Sequence, residues 1–225
     1  MIVKSKGIVL NYIKYGDTSI ITRIFTEEHG YDSYIVNSIR SQKSGKSMGY
    51  FQPFSILDLV LYLKESRNLQ RISEFKSHIP LHSIHQDLYK STITLFLSEI
   101  FSKLLQSEQS PNPSLYAFAE ASIHTFDQIR QGVANFHIQF LLKLTSYLGF
   151  EIENAEYLFS STDKLMPAED GHHLLQKMLK DPYGSTYNLN RSMRGEMINV
   201  ILSFYEHHLH ISKPKSLKVI KSIFD

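Results

Sequence analysis

The spacing of apolar residues changes once along this chain, at Pro80, and that change limits the fold more than any other feature. Before Pro80, β-branched and aromatic residues form short runs separated by turn signals such as Gly16-Asp17. These runs predict strands over residues 7–15, 19–26, 30–39, 54–65 and 69–77. Five short strands joined by turns favour a small barrel of the OB type or a similar sandwich.

Beyond Pro80 the apolar residues recur with the period of a helix. Helices are predicted over residues 82–106, 114–129, 134–150, 169–181, 190–211 and 215–224, whereas residues 151–168 read as irregular. The predicted architecture is α+β, with a five-stranded OB-type barrel domain over residues 1–80 followed by an α-helical bundle over 81–225.

Two of the predicted helices carry specific packing expectations. In the first helix, the expected buried stripe consists of Leu88, Leu95, Ile100 and Leu104. The segment 134–150 is nearly all apolar, so we expect it to be the central buried helix, with Gly149 at its C-terminal cap.

Composition excludes several classes of protein. The chain has no cysteine, which excludes disulfides and a thiolate-bound zinc ion. The N-terminal MIVKSKGIVLNYIKYG alternates apolar and polar residues without the apolar core of a signal peptide. No stretch approaches the roughly 18 apolar residues of a membrane span. We therefore expect a soluble, cytoplasmic protein that makes no membrane contact.

The segment SIRSQKSGKSMGYFQPF, residues 38–54, contains Gly45-Lys46-Ser47, which matches the end of a nucleotide-binding P-loop. A P-loop needs a glycine at position 40, where Arg40 stands, and a helix directly after the motif. Because Pro53 disfavours helical backbone just before it, no helix is expected to start here. The P-loop interpretation is disfavoured, and two others stay open: a solvated loop, or a loop that binds a polyphosphate backbone.

The positive charge of the chain lies in the predicted barrel. Residues 1–80 hold 11 Lys and Arg against 7 Asp and Glu, whereas residues 81–225 hold 13 against 15. Small barrels of this kind bind single strands through a cationic groove and exposed aromatic rings. The candidate aromatic residues are Tyr12, Tyr15, Tyr31, Tyr34, Tyr50 and Phe51, although most of them are expected to fill the barrel core. The candidate DNA-binding residues are Arg40, Lys43, Lys46, Lys64, Arg67, Arg71 and Tyr50.

No motif in the chain points to catalysis. His207, His208 and His210 cluster near the end, but no H-E-x-x-H pattern and no nucleophile elbow occurs. These histidines read either as a metal site or, more simply, as imidazoles at the negative end of a helix dipole. We expect a protein that is not an enzyme and that holds no metal.

The last segment, HISKPKSLKVIKSIFD, interleaves lysines with apolar residues. It predicts either an amphipathic helix docked on the bundle or a cationic groove with an apolar floor for an acidic peptide tail. The candidate residues for the second interpretation are Arg191, Arg194, Lys215 and Lys218.

Four blocks of the sequence resemble, in order, the RecO family of bacterial DNA-repair proteins. They read GIVLNYIKYGDTSIITRIFTEEHGYDSYIVNSIR, GYFQPFSILDLVLYLKESRNLQRISEFK, NFHIQFLLKLTSYLGFEIE and FYEHHLHISKPKSLKVI. The first block resembles the family's opening, with a Tyr-Gly-acid turn and a strand that ends in Phe-Thr. The third resembles its aromatic-rich helix that ends in Leu-Gly-Phe. Together the blocks span most of the chain.

The resemblance implies an OB-fold domain that contacts DNA and a helical domain behind it. It implies a recombination mediator of the RecF-type pathway that binds single- and double-stranded DNA and anneals complementary strands. With RecR, such a protein loads recombinase onto strands coated by single-strand-binding protein, whose acidic C-terminal tail it binds. RecA and RecF are implied as indirect partners, and the bacterial nucleoid as the location. The alternative is a protein-interaction scaffold whose OB-like barrel does not bind DNA directly.

The chain departs from the family at one place. Many RecO proteins carry a four-cysteine zinc site in the region that matches residues 157–190, and this chain has no cysteine there. We therefore expect no cofactor, with the irregular segment 151–190 replacing the zinc-site region. Packing of Tyr157, Leu158, Phe159 and Leu165 is expected to hold that segment.

Overall fold

A computed structural model describes residues 1–40, 48–64, 68–106, 110–150, 152, 158 and 169–223. The described chain forms two compact units. The first consists of Met1–His85 with Ser98–Glu120, and the second of Gln86–Leu97 with Ala121–Asp225. Several residues singled out from the sequence lie outside the described residues, namely Lys43, Lys46, Arg67, Tyr157, Phe159 and Leu165. Of the residues expected to pack the segment after the central helix, Leu158 is described and is fully buried.

The first unit contains a closed five-stranded barrel, which confirms the predicted OB-type fold. Its strands are β1 (Ile2–Tyr15), β2 (Ser19–Thr26), β3 (Gly30–Val36), β4 (Ile56–Tyr62) and β5 (Gln70–Ser77). They follow one another around the barrel in the order β1, β2, β3, β5, β4, and β4 pairs with β1 to close it. All pairs are antiparallel except β3 with β5.

A bulge in β1 makes closure of the barrel possible. The register between β1 and β2 shifts between Val9 and Asn11. Residues 2–6 of β1 pair with β4 alone, Gly7 and Ile8 pair with both neighbours, and the rest of the strand pairs with β2 alone. Such a bulge bends a strand and increases its twist. Gly7 lies where the strands approach most closely, because a Cβ there would be 2.6 Å from Ile24 Cγ2 and 2.7 Å from Leu59 Cδ1.

The loop after β3 differs from the sequence prediction in two ways. The strand ends at Val36 rather than at residue 39, because the chain turns at Ser38, which has a φ of 58°. Ile39 then packs into the barrel core. Residues Met48–Phe51 form one turn of 3-10 helix, so the expectation that no helix starts here is wrong. The turn stops before Pro53, as the backbone restriction at a proline requires.

Six further helices follow the barrel among the described residues. They are α1 (Leu88–Leu105), α2 (Pro113–Gln128), α3 (Phe136–Tyr147), α4 (Glu169–Lys180), α5 (Arg191–Leu209) and α6 (Leu217–Ile223). A short 3-10 turn, Val133–Asn135, precedes α3. None of these helices is long and apolar enough to cross a lipid bilayer.

Two expectations for α1 are wrong. The helix begins at Leu88 rather than at residue 82, because the Asp87 carboxylate caps its first turn and accepts the Lys90 N–H at 2.9 Å. Leu88 and Leu95 are 66% and 46% exposed, so they do not belong to the buried stripe. The predicted Ile100 and Leu104 are buried, and the buried face also carries Ile93, Phe96, Leu97 and Phe101.

The expectations for α3 are confirmed. Nine of its twelve residues are buried. The helix ends in a Schellman arrangement, in which the Phe150 N–H donates to the Thr145 oxygen at 2.9 Å and Gly149 has a φ of 83°. In the same unit, the Tyr205 hydroxyl donates to the Leu141 oxygen at 2.7 Å and joins α5 to α3.

Candidate nucleic-acid interface

Arg40 lies against the turn between β1 and β2. Its backbone N–H donates to the Thr18 oxygen at 2.9 Å, and its guanidinium donates to the Asp17 oxygen. The side chain is half-buried, and the two bonds fix the start of the cationic loop beside the hairpin turn. Lys43 and Lys46 of the same loop lie outside the described residues.

Gln70 positions the second cationic set, at the turn between β4 and β5. Its side-chain oxygen accepts the Lys64 N–H at 2.8 Å, and its side-chain nitrogen donates to the Lys64 oxygen at 3.1 Å. Lys64 and Arg71 are both exposed, and together with Tyr62 they line a small cavity of about 260 Å³. Arg67, the third predicted member, lies outside the described residues.

The barrel cations fall into two groups according to their partners. Lys6 lies 3.1 Å from the Glu120 carboxylate, and Lys76 lies 3.4 Å from that of Asp58. In contrast, six barrel cations form no ion pair among the described residues: Lys4, Lys14, Arg23, Arg40, Lys64 and Arg71. An unpaired surface cation keeps its charge available for a phosphate, whereas a paired one must first lose its carboxylate.

The candidate aromatic residues separate by burial. Of the six, only Tyr34 and Phe51 are fully buried in the barrel core, and Tyr12 packs against it partly buried, so the expectation that most of the set fills the core is wrong. The Tyr31 hydroxyl lies 3.3 Å from Ser102 Oγ, so that ring is engaged with α1. Tyr15 and Tyr50 are 50% and 38% exposed and are the rings that a base could reach.

An exposed apolar row crosses the outer face of the barrel. Register partners follow one another from Ile13 to Ile21, Ile35, Arg71, Tyr62 and Ile2. Ile2, Ile13 and Tyr62 are 65%, 61% and 43% exposed. Sequence reasoning missed this row because β1 and β2 are apolar on both faces, so alternation gave no sign of which isoleucines point outward.

This outer face has the position at which OB folds hold their ligands. Oligonucleotides and oligosaccharides bind OB folds across β2 and β3, between the β1–β2 and β4–β5 turns. Here that area carries Ile21, Arg23 and Ile35, with Arg40 at one turn and Lys64 at the other. The face can therefore offer cations at its edges and an aliphatic surface at its centre.

In the second unit, Arg191 and Arg194 line one cavity of about 350 Å³ at the start of α5, together with Ile220 and Lys221 of α6. Arg194 Nη1 donates to the Leu189 oxygen at 2.8 Å, which holds the guanidinium beside the cavity. Lys215 and Lys218, the other two predicted members, are exposed and do not line it. The structure thus brings together two of the four predicted cations and adds Lys221.

His137 forms part of the wall of the same cavity and is almost fully buried. Burial, helped by the nearby Arg194 charge, lowers its pKa to about 3. The imidazole is therefore neutral at physiological pH. Arg191, Arg194 and Lys221 supply the positive charge of the cavity, and the Glu196 carboxylate in the same lining offsets part of it.

No group of three or more metal-binding side chains occurs in the described parts of the chain. His207 and His208 lie in the last turn of α5, with ring centroids 4.8 Å apart, and His210 is its left-handed C-cap. Burial and the neighbouring His207 lower the pKa of His208. His208 also packs on Phe204, which lies one helical turn earlier in α5, with ring centroids 4.4 Å apart.

The fold and these surfaces define a protein with an OB-type barrel, unpaired cations on that barrel and a helical unit with a cationic cavity. Two family models match it: the N-terminal model of recombination protein O over residues 1–79, and the C-terminal model over residues 85–156. The chain belongs to the recombination protein O (RecO) family.

Curated relatives match along the whole chain. Proteins named DNA repair protein RecO from Flavobacterium psychrophilum and Flavobacterium johnsoniae are 36% and 32% identical. A protein of the same name from Bacteroides fragilis is 33% identical. In each case the match covers 100% of both chains. These relatives support a role in DNA repair.

Proposed function

We propose that this protein is a non-enzymatic recombination mediator, which binds single- and double-stranded DNA and anneals complementary strands in the bacterial cytoplasm. The observation that carries the proposal is the division of the barrel cations. Those on the β2–β3 side and at the two flanking turns are unpaired, whereas on the other side Lys6 and Lys76 are neutralised by carboxylates and only Lys4, which lines one cavity with them, is unpaired among the described residues. DNA would therefore contact the first side.

The DNA contacts proposed are mainly phosphate contacts. Arg40, Lys64 and Arg71 are described and available, and Lys43, Lys46 and Arg67 extend the same two turns along the chain. Phosphate contacts supply affinity without reading sequence. A protein that anneals any pair of complementary strands needs affinity of that kind, and Tyr50 would add base stacking.

The partners proposed follow from the family and from the cavity in the helical unit. RecR would act with this protein to load recombinase, with RecA and RecF involved indirectly. The acidic C-terminal tail of single-strand-binding protein would bind near Arg191 and Arg194, with Lys215 and Lys218 outside the cavity in a lesser role. The cavity supports this placement because it combines cations with the apolar Ile198 and Ile220.

A pair of variants on one strand tests the DNA contacts. Arg71 and Lys76 both lie exposed on β5, but only Lys76 forms an ion pair. Arg71→Gln and Lys76→Gln change the net charge equally. Binding to a labelled oligo-dT is measured by fluorescence anisotropy over a range of salt concentrations. The Arg71 variant should bind more weakly, with a salt slope smaller by about 0.7 for each phosphate of the single strand that it no longer neutralises. The Lys76 variant should resemble the unaltered protein, and equal effects would contradict the proposal.

The exposed apolar row favours a second candidate function, a protein-interaction scaffold that does not touch DNA. Contiguous apolar surface often marks a protein interface, and isoleucines do not stack on bases. Under this alternative, Ile13→Ser should weaken binding to RecR, and neither Arg71→Gln nor Lys76→Gln should alter DNA affinity.

A further inference from the structure

Another cavity of the first unit lies at the end of the barrel beside the Met48–Phe51 turn. Its cavity, of about 370 Å³, is lined by Tyr50, Ser55, Ser77, Pro80, Leu81 and His85 among others. The walls come from the 3-10 turn after the loop, the end of β5 and the segment that follows it. A volume of this size holds one small flat molecule with room for water.

Tyr50 is held at the mouth of this cavity by two phenylalanines. Its ring lies 5.5 Å from that of Phe75 in an edge-to-face arrangement, and Phe75 in turn lies 4.8 Å from Phe51. Phe51 is fully buried in the barrel core, so the turn that carries Tyr50 is anchored. The Tyr50 ring nevertheless remains 38% exposed. It is an anchored aromatic ring that is still partly open to solvent.

The backbone around the cavity is fixed as well. The Phe54 N–H donates to the Val9 oxygen at 2.7 Å, and the Ser55 N–H donates to the Gln52 oxygen at 3.0 Å. His85 Nε2 lies 2.9 Å from the Pro53 oxygen, and because a carbonyl only accepts, the imidazole donates this bond. The cavity is thus formed before any ligand arrives.

Three hydroxyl groups in the lining have unused hydrogen-bonding capacity. Ser55 Oγ, Ser77 Oγ and the Tyr50 hydroxyl make no hydrogen bond within the described residues. Ser55 as a whole is only 7% exposed. An apolar side chain that filled the cavity would leave such hydroxyls unpaired, at a cost in affinity.

We propose that this cavity receives one unpaired nucleobase of a single DNA strand, stacked against Tyr50 and hydrogen-bonded to Ser55 and Ser77. The inference rests on the proposed DNA-binding function and adds a specific base-holding site to it. A base supplies both an aromatic face and polar edge groups, which matches the ring and the hydroxyls. In the chain, Lys46 precedes the Met48–Phe51 turn by two residues, which places a cation next to the site in sequence.

The chemistry of the site suits an annealing protein. A serine hydroxyl can donate or accept, so two serines can satisfy the edge of any of the four bases. A base held there is removed from its stack, which is easy in a single strand and costly in a duplex. The site would therefore favour single strands over duplexes without preferring a sequence.

The test compares Tyr50→Leu with Tyr50→Phe, which keeps the aromatic ring, in the full chain. Anisotropy is measured with oligo-dT, with an abasic oligonucleotide of equal length and with a duplex. The unaltered protein should bind oligo-dT about tenfold more tightly than the abasic strand, the usual order for one stacked base. Tyr50→Leu should lose that difference and keep its salt slope and duplex affinity. Tyr50→Phe should retain most of the difference in affinity between oligo-dT and the abasic strand, and Ser77→Val should lose part of that difference. Thermal unfolding of each variant checks its fold.

Two results would overturn the inference while leaving the proposed function intact. One is equal binding of oligo-dT and the abasic strand by the unaltered protein. The other is unchanged oligo-dT affinity in Tyr50→Leu accompanied by weaker RecR binding, which would assign the cavity to a protein side chain. Failure of the unaltered protein to bind any DNA would overturn the proposed function and the inference together.

Discussion

Lys6 Nζ lies 3.1 Å from the Glu120 carboxylate and 3.3 Å from that of Glu27, so one ammonium on β1 bridges α2 and the turn between β2 and β3. Burial lowers the pKa of Lys6, but hydrogen bonds and attraction to Glu120 and Glu27 outweigh it and raise the pKa above its ordinary value. The barrel therefore uses part of its positive charge to hold its own elements together.

This arrangement predicts that Lys6→Met separates stability from DNA binding. Loss of the bridge leaves two carboxylates without their partner, and we expect the free energy of unfolding to fall by about 1 kcal/mol, the upper end for partly exposed pairs. Oligo-dT affinity should not fall, because Lys6 is already neutralised. Chemical denaturation and anisotropy measure the two quantities. A loss of DNA affinity as large as that of Arg71→Gln would contradict the division between paired and unpaired cations.

The second prediction concerns acid stability and depends on His137. Its folded pKa of about 3 lies below the ordinary value of 6.5, because the imidazole is buried beside Arg194. The unfolded chain therefore binds a proton below pH 6.5 that the folded chain does not. The stabilisation is complete above that pH and is lost as the pH falls towards 3. At pH 5.5 we expect a loss of about 1.4 kcal/mol relative to neutral pH.

The control for this prediction is His137→Gln, which cannot titrate. Its free energy of unfolding should vary less with pH between 7 and 5.5 than that of the unaltered protein, whatever its value at pH 7. Urea denaturation at several pH values gives both curves, and parallel curves would show that other groups cause the acid sensitivity.

The sequence predicted the barrel well because its strands are rich in β-branched residues and are separated by strong turn signals, although β1 begins at Ile2 rather than at residue 7. Observed β2 matches the predicted range residue for residue, since Gly16 and Gly30 limit the strand on both sides with positive φ values. The beginning of α1 was missed because Asp87 can be recognised as its N-cap only from the bond that its carboxylate accepts from the Lys90 N–H.

The candidate sites were less predictable because pairing is a tertiary property. In the composition, Lys76 and Arg71 each count as one positive charge. Only the fold shows that Asp58 lies beside Lys76 and neutralises it. Likewise, Ser55 and Ser77 lie on separate segments, so no local pattern joins them to Tyr50. The cavity at the start of α5 was foreseen through Arg191 and Arg194, but Lys221 comes from the register of α6.

The third prediction compares two glycines that share a left-handed backbone. Gly16 and Gly132 have φ values of 53° and 67°. A Cβ at Gly16 would meet nothing within 4 Å, whereas at Gly132 it would lie 2.6 Å from the Ser185 oxygen. Gly16→Ala should cost about 1 kcal/mol for the backbone alone. Gly132→Ala should cost about 3 kcal/mol or more, because the clash adds to the same penalty. Chemical denaturation measures both, and equal costs would mean that the segment around Ser185 moves aside easily.

The last prediction tests the cavity at the start of α5 as the site of an acidic tail. The probe is a labelled aspartate-rich peptide with a free C-terminal carboxylate, and the control is the same peptide with an amidated end. Lys221 lines the cavity and Lys215 does not, although both are lysines of the same terminal segment. Lys221→Gln should weaken binding of the free-acid peptide about fivefold, the loss of one exposed charge pair of roughly 1 kcal/mol. Lys215→Gln should have a smaller effect, and Arg191→Gln should weaken binding as Lys221→Gln does.

Because Lys221 Nζ also donates to Asn199 Oδ1 at 3.2 Å, an Asn199→Ala variant separates loss of that bond from loss of the charge. Equal effects of Lys215→Gln and Lys221→Gln would move the tail out of the cavity and onto the exposed lysines of the terminal segment.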